Sequence, residues 1–246
     1  MIKGLFSSGS AMIPQLRRQE VIANNLANSA TPGFKKDNVF VHELSRAKDS
    51  TSPRTADWQR PMLDQMYVDH SSGSIERTGG AYDFAIEGEA FFVTQGADGE
   101  EALTRNGAFA VDTGGFLVTQ DGDFVVGDGG PIQLTQGEVS IAEDGGVAVD
   151  GALVGRMRVV EVEEPQKLTK IGAGKFVAPA GVDLVAAARY VIRQGYLESS
   201  NVEVVSQMID MIASYRAYES DAQALKSQDE SLKKLIADVA RVSAAR

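Results

Sequence analysis

Cysteine is absent from the 246 residues, which excludes disulfides, thiol nucleophiles and thiolate metal sites together. Histidine occurs only as His42 and His70, each in polar, connector-like sequence that carries no motif of a nucleophile and its base. A nucleophile and its base must lie within hydrogen-bond reach, so neither histidine is a candidate for catalysis. Positive charge is in deficit. With 24 Lys and Arg against 34 Asp and Glu, the net charge is −10, and pairs such as Arg17-Arg18 and Lys233-Lys234 fit solvated helix faces. A nucleic-acid backbone demands clustered cations, so no such partner is expected. No run approaches the roughly 20 apolar residues that cross a bilayer. The stretch from Leu5 to Ile13 is diluted by Ser7, Ser8, Gly9 and Ser10 and leads to no prompt small-residue cleavage pattern, so a cleaved signal peptide is not expected.

What the chain does have is 43% hydrophobic residues, ample for a core, and an apolar repeat at both ends. From Asn201 to Val239, the residues Val204, Met208, Met211, Tyr215, Tyr218, Ala222, Leu225, Leu232, Ile236 and Val239 recur at spacings of three and four, with Asp229 as the one break. A helix of roughly 40 residues would be about 60 Å long, longer than a domain of this size is wide. At the other end Ile2, Leu5, Met12, Leu16, Ala23 and Leu26 fall on the same three-four spacing, with Gly9 and Gln19 as the weak positions. Amphipathic helices are therefore expected at 1–30 and 195–246, paired with each other or with those of neighbouring copies. Pro14 implies either a kink or a helix starting near Ser10.

Between the ends the texture changes twice. Residues 31–75 read as an extended connector, rich in Ser, Thr and Pro around Ser50–Thr55 and Ser71–Ser74. Residues 76–194 alternate short β-prone runs with Gly and Asp turns, which indicates an antiparallel all-β domain. Asp121-Gly122 and Asp144-Gly145-Gly146 have hairpin chemistry, and Arg156–Val162 reads as one strand half buried and half wet. The class is thus α+β, a central antiparallel β domain flanked by long terminal helices in a coiled-coil-like layer.

Two motifs that mimic ligand loops fail on context. Asp121, Asp123 and Asp128 among Gly122, Gly127, Gly129 and Gly130 lack the closing bidentate Glu of a calcium loop, and a β-prone run interrupts them. Ile171-Gly172-Ala173-Gly174-Lys175 continues into Phe176 and Val177 where a phosphate loop would place Ser or Thr and open a helix. No metal, cofactor or small-molecule substrate is expected.

Three segments carry a resemblance. The run Ala23-Asn24-Asn25-Leu26-Ala27-Asn28-Ser29-Ala30-Thr31-Pro32-Gly33-Phe34-Lys35 resembles the N-terminal signature of the bacterial flagellar rod and hook proteins. Here Asn28 can end a helix and Pro32-Gly33 can form a type II turn. Gly195-Tyr196-Leu197-Glu198-Ser199-Ser200-Asn201-Val202, then Met208, Met211-Ile212 and Arg216-Ala217-Tyr218-Glu219, is similar to the C-terminal signature, with Ser200 or Asn201 as an expected N-cap. Asp83–Phe92 and Leu103–Phe109 resemble the same family's central stretch, and Gly127–Ile132 is more similar to the proximal than to the distal rod subunits.

The resemblance implies a structural protein and not an enzyme. Terminal helices would pair around an export channel while the β domain faces outward. Subunits would leave the cytoplasm unfolded through the flagellar type III export apparatus, without signal cleavage, and build the periplasmic shaft that transmits torque. Partners would be copies of the chain, other rod or hook subunits and that apparatus. The subunit-packing residues would be Ile2, Leu5, Met12, Leu16, Leu26, Val204, Met208, Met211, Tyr215, Tyr218, Leu225, Leu232, Ile236 and Val239. Alternatives are a distal rod or hook-type subunit, a secreted β-sandwich adhesin trimerised by its terminal helices, or a carboxylate hydrolase acting on cell-wall polysaccharide.

Overall fold

The apolar repeat at the amino end forms helix α1, Ile2–Ala27, and that at the carboxyl end forms α2, Val204–Ala244. The computed structural model describes residues 2–44, 60–135, 137–172, 174–179 and 181–244. The polar run Ser50–Thr55 lies outside them, as do the side chains of Ile2, Leu5 and Val239. Pro14 sits inside α1, so a start near Ser10 is corrected: the helix is already formed two turns earlier. Beyond Ala27 the chain turns twice. The Thr31 amide donates to the Asn28 carbonyl at 3.0 Å and the Phe34 amide to the Thr31 carbonyl at 3.3 Å, with Gly33 at φ +67. This is the turn that Pro32-Gly33 encodes, because the third position requires a left-handed residue.

Two compact units divide the chain. The helical unit comprises 1–26, 37–67 and 204–246, and the β unit comprises 27–36 and 68–203. The connector reading of 31–75 needs correction, since Asp37–Leu44 and Arg60–Val68 are strands of a two-stranded sheet. Valines, Phe40 and Tyr67 in these runs supply the β-prone side chains that the surrounding polar residues obscured.

Every ladder of the β unit with a resolved register is antiparallel. The main sheet centres on Ala90–Gln95, which pairs with Glu101–Thr104, Phe124–Gly127 and Val159–Val162. A three-stranded meander runs Val139–Ile141, Gly146–Val149, Ala152–Arg156, and Tyr196–Glu198 pairs with Ile75–Arg77. Both anticipated hairpins are present, with Gly122 at φ +90 and Gly145 at φ +85 in their turns.

Alternation along Ala90–Gln95 builds two separate cores. Ala90 and Phe92 join Phe84, Leu117, Val147, Met157 and Ile192 on one face, while Phe91 and Val93 join Leu103, Val160, Val162 and Phe176 on the other. A fully buried Phe contributes about 1.5–3 kcal/mol, so the sheet is held from both sides. The half-wet strand at Arg156–Val162 is accordingly corrected. Arg156 ends one strand, Val159 begins the next, and the Val159 and Val160 side chains enter different cores.

Candidate assembly surface and its buried anchor

Each of the three segments that carry the resemblance contributes one charged side chain to a single buried cluster in the β unit. Lys35 Nζ lies 2.6 Å from Glu198 Oε1, and Arg105 Nη1 lies 3.4 Å from Glu198 Oε2. Their side chains are 1–2% exposed. Buried charges are tolerated when paired and hydrogen-bonded, and the backbone provides further partners, although Arg105 Nε has no hydrogen-bond partner among the described residues. Lys35 donates to the Ser71 carbonyl at 2.8 Å, the Gly73 amide donates to Glu198 Oε1 at 2.9 Å, and Arg105 Nη2 donates to the Gly88 carbonyl at 2.6 Å. Burial lowers the Lys35 and Arg105 pKa values, opposed chiefly by Glu198.

The backbones around the cluster approach too closely for side chains. A Cβ on Gly33 would stand 2.3 Å from the Arg105 carbonyl carbon, and one on Gly73 would stand 1.9 Å from the Ser199 oxygen. Asn201 ties neighbouring segments together. Its Oδ1 accepts from the Lys36 amide at 2.8 Å and its Nδ2 donates to the Asp69 carbonyl at 2.8 Å. The N-cap role for Ser200 or Asn201 is therefore corrected: α2 opens at Val204, and these side chains fasten loops. Beside the cluster, His70 packs on Phe176 and Phe91 at ring distances of 5.2 and 6.0 Å. Burial, reinforced by the Lys35 charge, holds its pKa down to about 4.

The helical unit is built differently. Asn25 is buried and clamps the strand that follows, accepting from the Asp37 amide at 2.9 Å and donating to the Asp37 carbonyl at 2.8 Å. It also donates to Gln207 Oε1 at 3.3 Å, while Arg18 reaches Asp210 at 3.4 Å and Ser214 donates to the Gln15 side chain at 3.2 Å. Rising numbers on α1 meet falling numbers on α2, so these contacts run antiparallel.

The side turned inward is polar at alternate positions: Gln207 and Ser214 are buried, with Met211, Tyr218, Leu225 and Leu232 half-buried between and beyond them. Val204, Met208, Tyr215 and Ile236 of the expected packing set stand exposed, as do Leu16 on α1 and the neighbouring Val205, Ile209 and Ile212. Met12 and Leu26 are half-buried. Among the signature residues, Asn25, Gly33, Phe34, Glu198 and Val202 are buried, whereas Asn24 and Ala27 are exposed and Asn28, Thr31, Pro32, Gly195, Leu197 and Asn201 lie between. Sequence reasoning overlooked Lys35 and Arg105 as the two buried partners of Glu198. The available signal was a cation close to glycine in each of two motifs, Lys35 after Gly33-Phe34 and Arg105 before Asn106-Gly107, with the acidic Glu198 in the third.

Comparisons with known proteins bear on this arrangement. Residues 5–35 match the family model of flagella basal body rod proteins, 85–149 the flagellar hook protein FlgE/F/G D1 domain, and 193–238 the flagellar basal body rod FlgEFG protein C-terminal region. Among curated relatives, the flagellar basal-body rod protein FlgF of Salmonella typhimurium is 33% identical, covering 94% of this chain and 95% of its own. The FlgF of Caulobacter vibrioides is 31% identical with the same coverage. FlgG of Borreliella burgdorferi is 29% identical over 94% of this chain and 97% of its own.

Proposed function

The chain belongs to the flagellar basal-body rod protein family, and on that premise we propose that it is a structural subunit of the rod, whose terminal helices pair in a coiled-coil-like layer and polymerise with those of neighbouring subunits. Its relatives are structural components of the flagellum. The observation that carries the reading is the contrast between a β unit with closed cores and a helical unit that leaves Val205, Met208, Ile209, Ile212 and Tyr215 in water. Apolar surface of that extent along one helix is stabilised by covering it, at about 25 cal/mol per Å².

A partner that meets one face of a subunit with a different face of the next produces an open shaft. The packing set named above supplies the interface, the β unit faces outward, and neighbours are copies of the chain and other rod or hook subunits. The rod position is the proximal one, supported by the Gly127–Ile132 segment. Passage through the flagellar export apparatus to a periplasmic shaft follows from the same family reading.

Deleting the gene and restoring it with an epitope-tagged copy tests this. The deletion is expected to abolish motility and leave basal bodies without a complete rod, and the tagged chain is expected to co-purify with basal bodies. Normal motility in the deletion, or a tagged chain absent from purified basal bodies, would overturn the assignment.

A further inference from the structure

Two apolar surfaces of α2 lack a partner among the described residues, and they lie at opposite ends of the helix. Near its start, Val205, Ile209, Ile212 and Tyr215 are 55–67% exposed and, three or four residues apart, share one face. That face then turns polar through Glu219, Gln223, Lys226 and Glu230, so the patch ends after about three turns.

The second surface exists because the helices differ in length. α1 has 26 residues and α2 has 41, and their antiparallel contacts pair Asn25 with Gln207 and Gln15 with Ser214. Continued along both helices, that register brings the first residue of α1 level with about residue 227 of α2. The last four turns or so of α2 therefore overhang. On them Leu235 and Ile236 are 43% and 68% exposed and Leu232 is half-buried. Leu232 continues the row of Met211, Tyr218 and Leu225, the row that faces α1 lower down. The overhang thus offers the inward side of α2, and the first patch offers the outward side.

We propose that the two patches are halves of one joint. The overhanging end of α2 in one copy lies along the Val205–Tyr215 patch of a second copy, parallel to it and displaced by about 40 Å, the length of the helix between Ile209 and Ile236. This rests on the rod-subunit reading and adds to it the mating faces and their axial register.

Charge favours the same match. Residues 204–225 carry Asp210, Glu219 and Asp221 against Arg216, whereas residues 226–246 carry five Lys and Arg against three Asp and Glu. The basic end of one helix thus meets the acidic end of the next, and the reverse stacking would set like charges together. Because the joint uses opposite faces at opposite ends, it repeats without closing.

The absence of cysteine makes the test direct. The full-length chain carrying both Ile209→Cys and Ile236→Cys is treated, purified and concentrated, with a short bis-maleimide, beside the two single variants. The joint predicts a ladder of three and more linked copies for the double variant and nothing beyond dimers for each single variant. A double variant that yields only the dimers of the single ones, only an internal cross-link, or only an adduct with a different polypeptide in isolated basal bodies would overturn the joint. The rod reading is judged separately, by whether the double variant supports motility and co-purifies with basal bodies before cross-linking.

Discussion

The two units of this chain solve burial in opposite ways. The β unit encloses Phe84, Phe92 and Phe176 at 0% exposure and also buries three charged side chains. The helical unit joins its helices through Asn25, Gln207, Gln15 and Ser214 while larger apolar side chains face water. Net charge divides just as unevenly. The β unit holds 11 Lys and Arg against 22 Asp and Glu, and the helical unit 13 against 12. One unit carries a strong negative excess around closed cores; the other is nearly neutral and leaves apolar side chains exposed. A polar inner seam is suited to that division, since it specifies register without consuming the apolar surface that neighbours need.

The largest test of the contrast is truncation. A chain ending at residue 203 is expected to keep a folded β unit, whereas one ending at residue 194 loses Tyr196–Glu198 and the only carboxylate of the buried cluster. Near-UV dichroism and urea unfolding separate the outcomes, and a cooperative transition in the shorter chain would break the claim of self-sufficiency as drawn here. Next, Glu198→Leu is expected to destabilise the β unit by about 3–5 kcal/mol, because it strands Lys35 and Arg105 as buried charges. A shift of the urea midpoint worth less than about 0.5 kcal/mol would show the cluster to be idle.

Acid provides a graded version. The folded His70 pKa of about 4 lies below its ordinary 6.5, so the unfolded chain takes up the proton first as pH falls. Stability from neutral His70 is therefore complete above about pH 6.5 and is lost as pH drops toward 4, by at most about 3 kcal/mol. Urea midpoints compared between pH 7 and pH 4.5 should fall less in His70→Phe than in the parent, since both carry every other titrating group. The smallest effect on folding is expected at the exposed stripe. Met208→Asp, 49% exposed in the parent, should move β-unit stability by less than about 0.5 kcal/mol yet abolish incorporation into rods, measured by co-purification with basal bodies. Loss of β-unit structure in this variant would merge what the comparison keeps apart.

The terminal helices, the β-rich middle, both glycine hairpins and the Pro32-Gly33 turn were legible in the sequence, because each rests on local periodicity or turn chemistry. The strands at 37–44 and 60–68 were not, since a two-stranded sheet packed within a helical unit needs no long alternating run. The side of α2 that meets α1 was not legible either, because the apolar repeat does not mark it: hydrogen bonds to Asn25 and Gln15 turn the polar Gln207 and Ser214 toward α1. The charged cluster was hidden by distance. Lys35 and Glu198 are 163 residues apart, and no spacing rule reaches that far.

That separation has a consequence in time. A polypeptide that emerges amino end first presents its lysine long before the matching acid appears, and no dry interior can seal over a solitary cation meanwhile. Glu198 is among the last residues of the β unit, so the cluster that fastens its first segment to its last closes only when almost all of that unit is present.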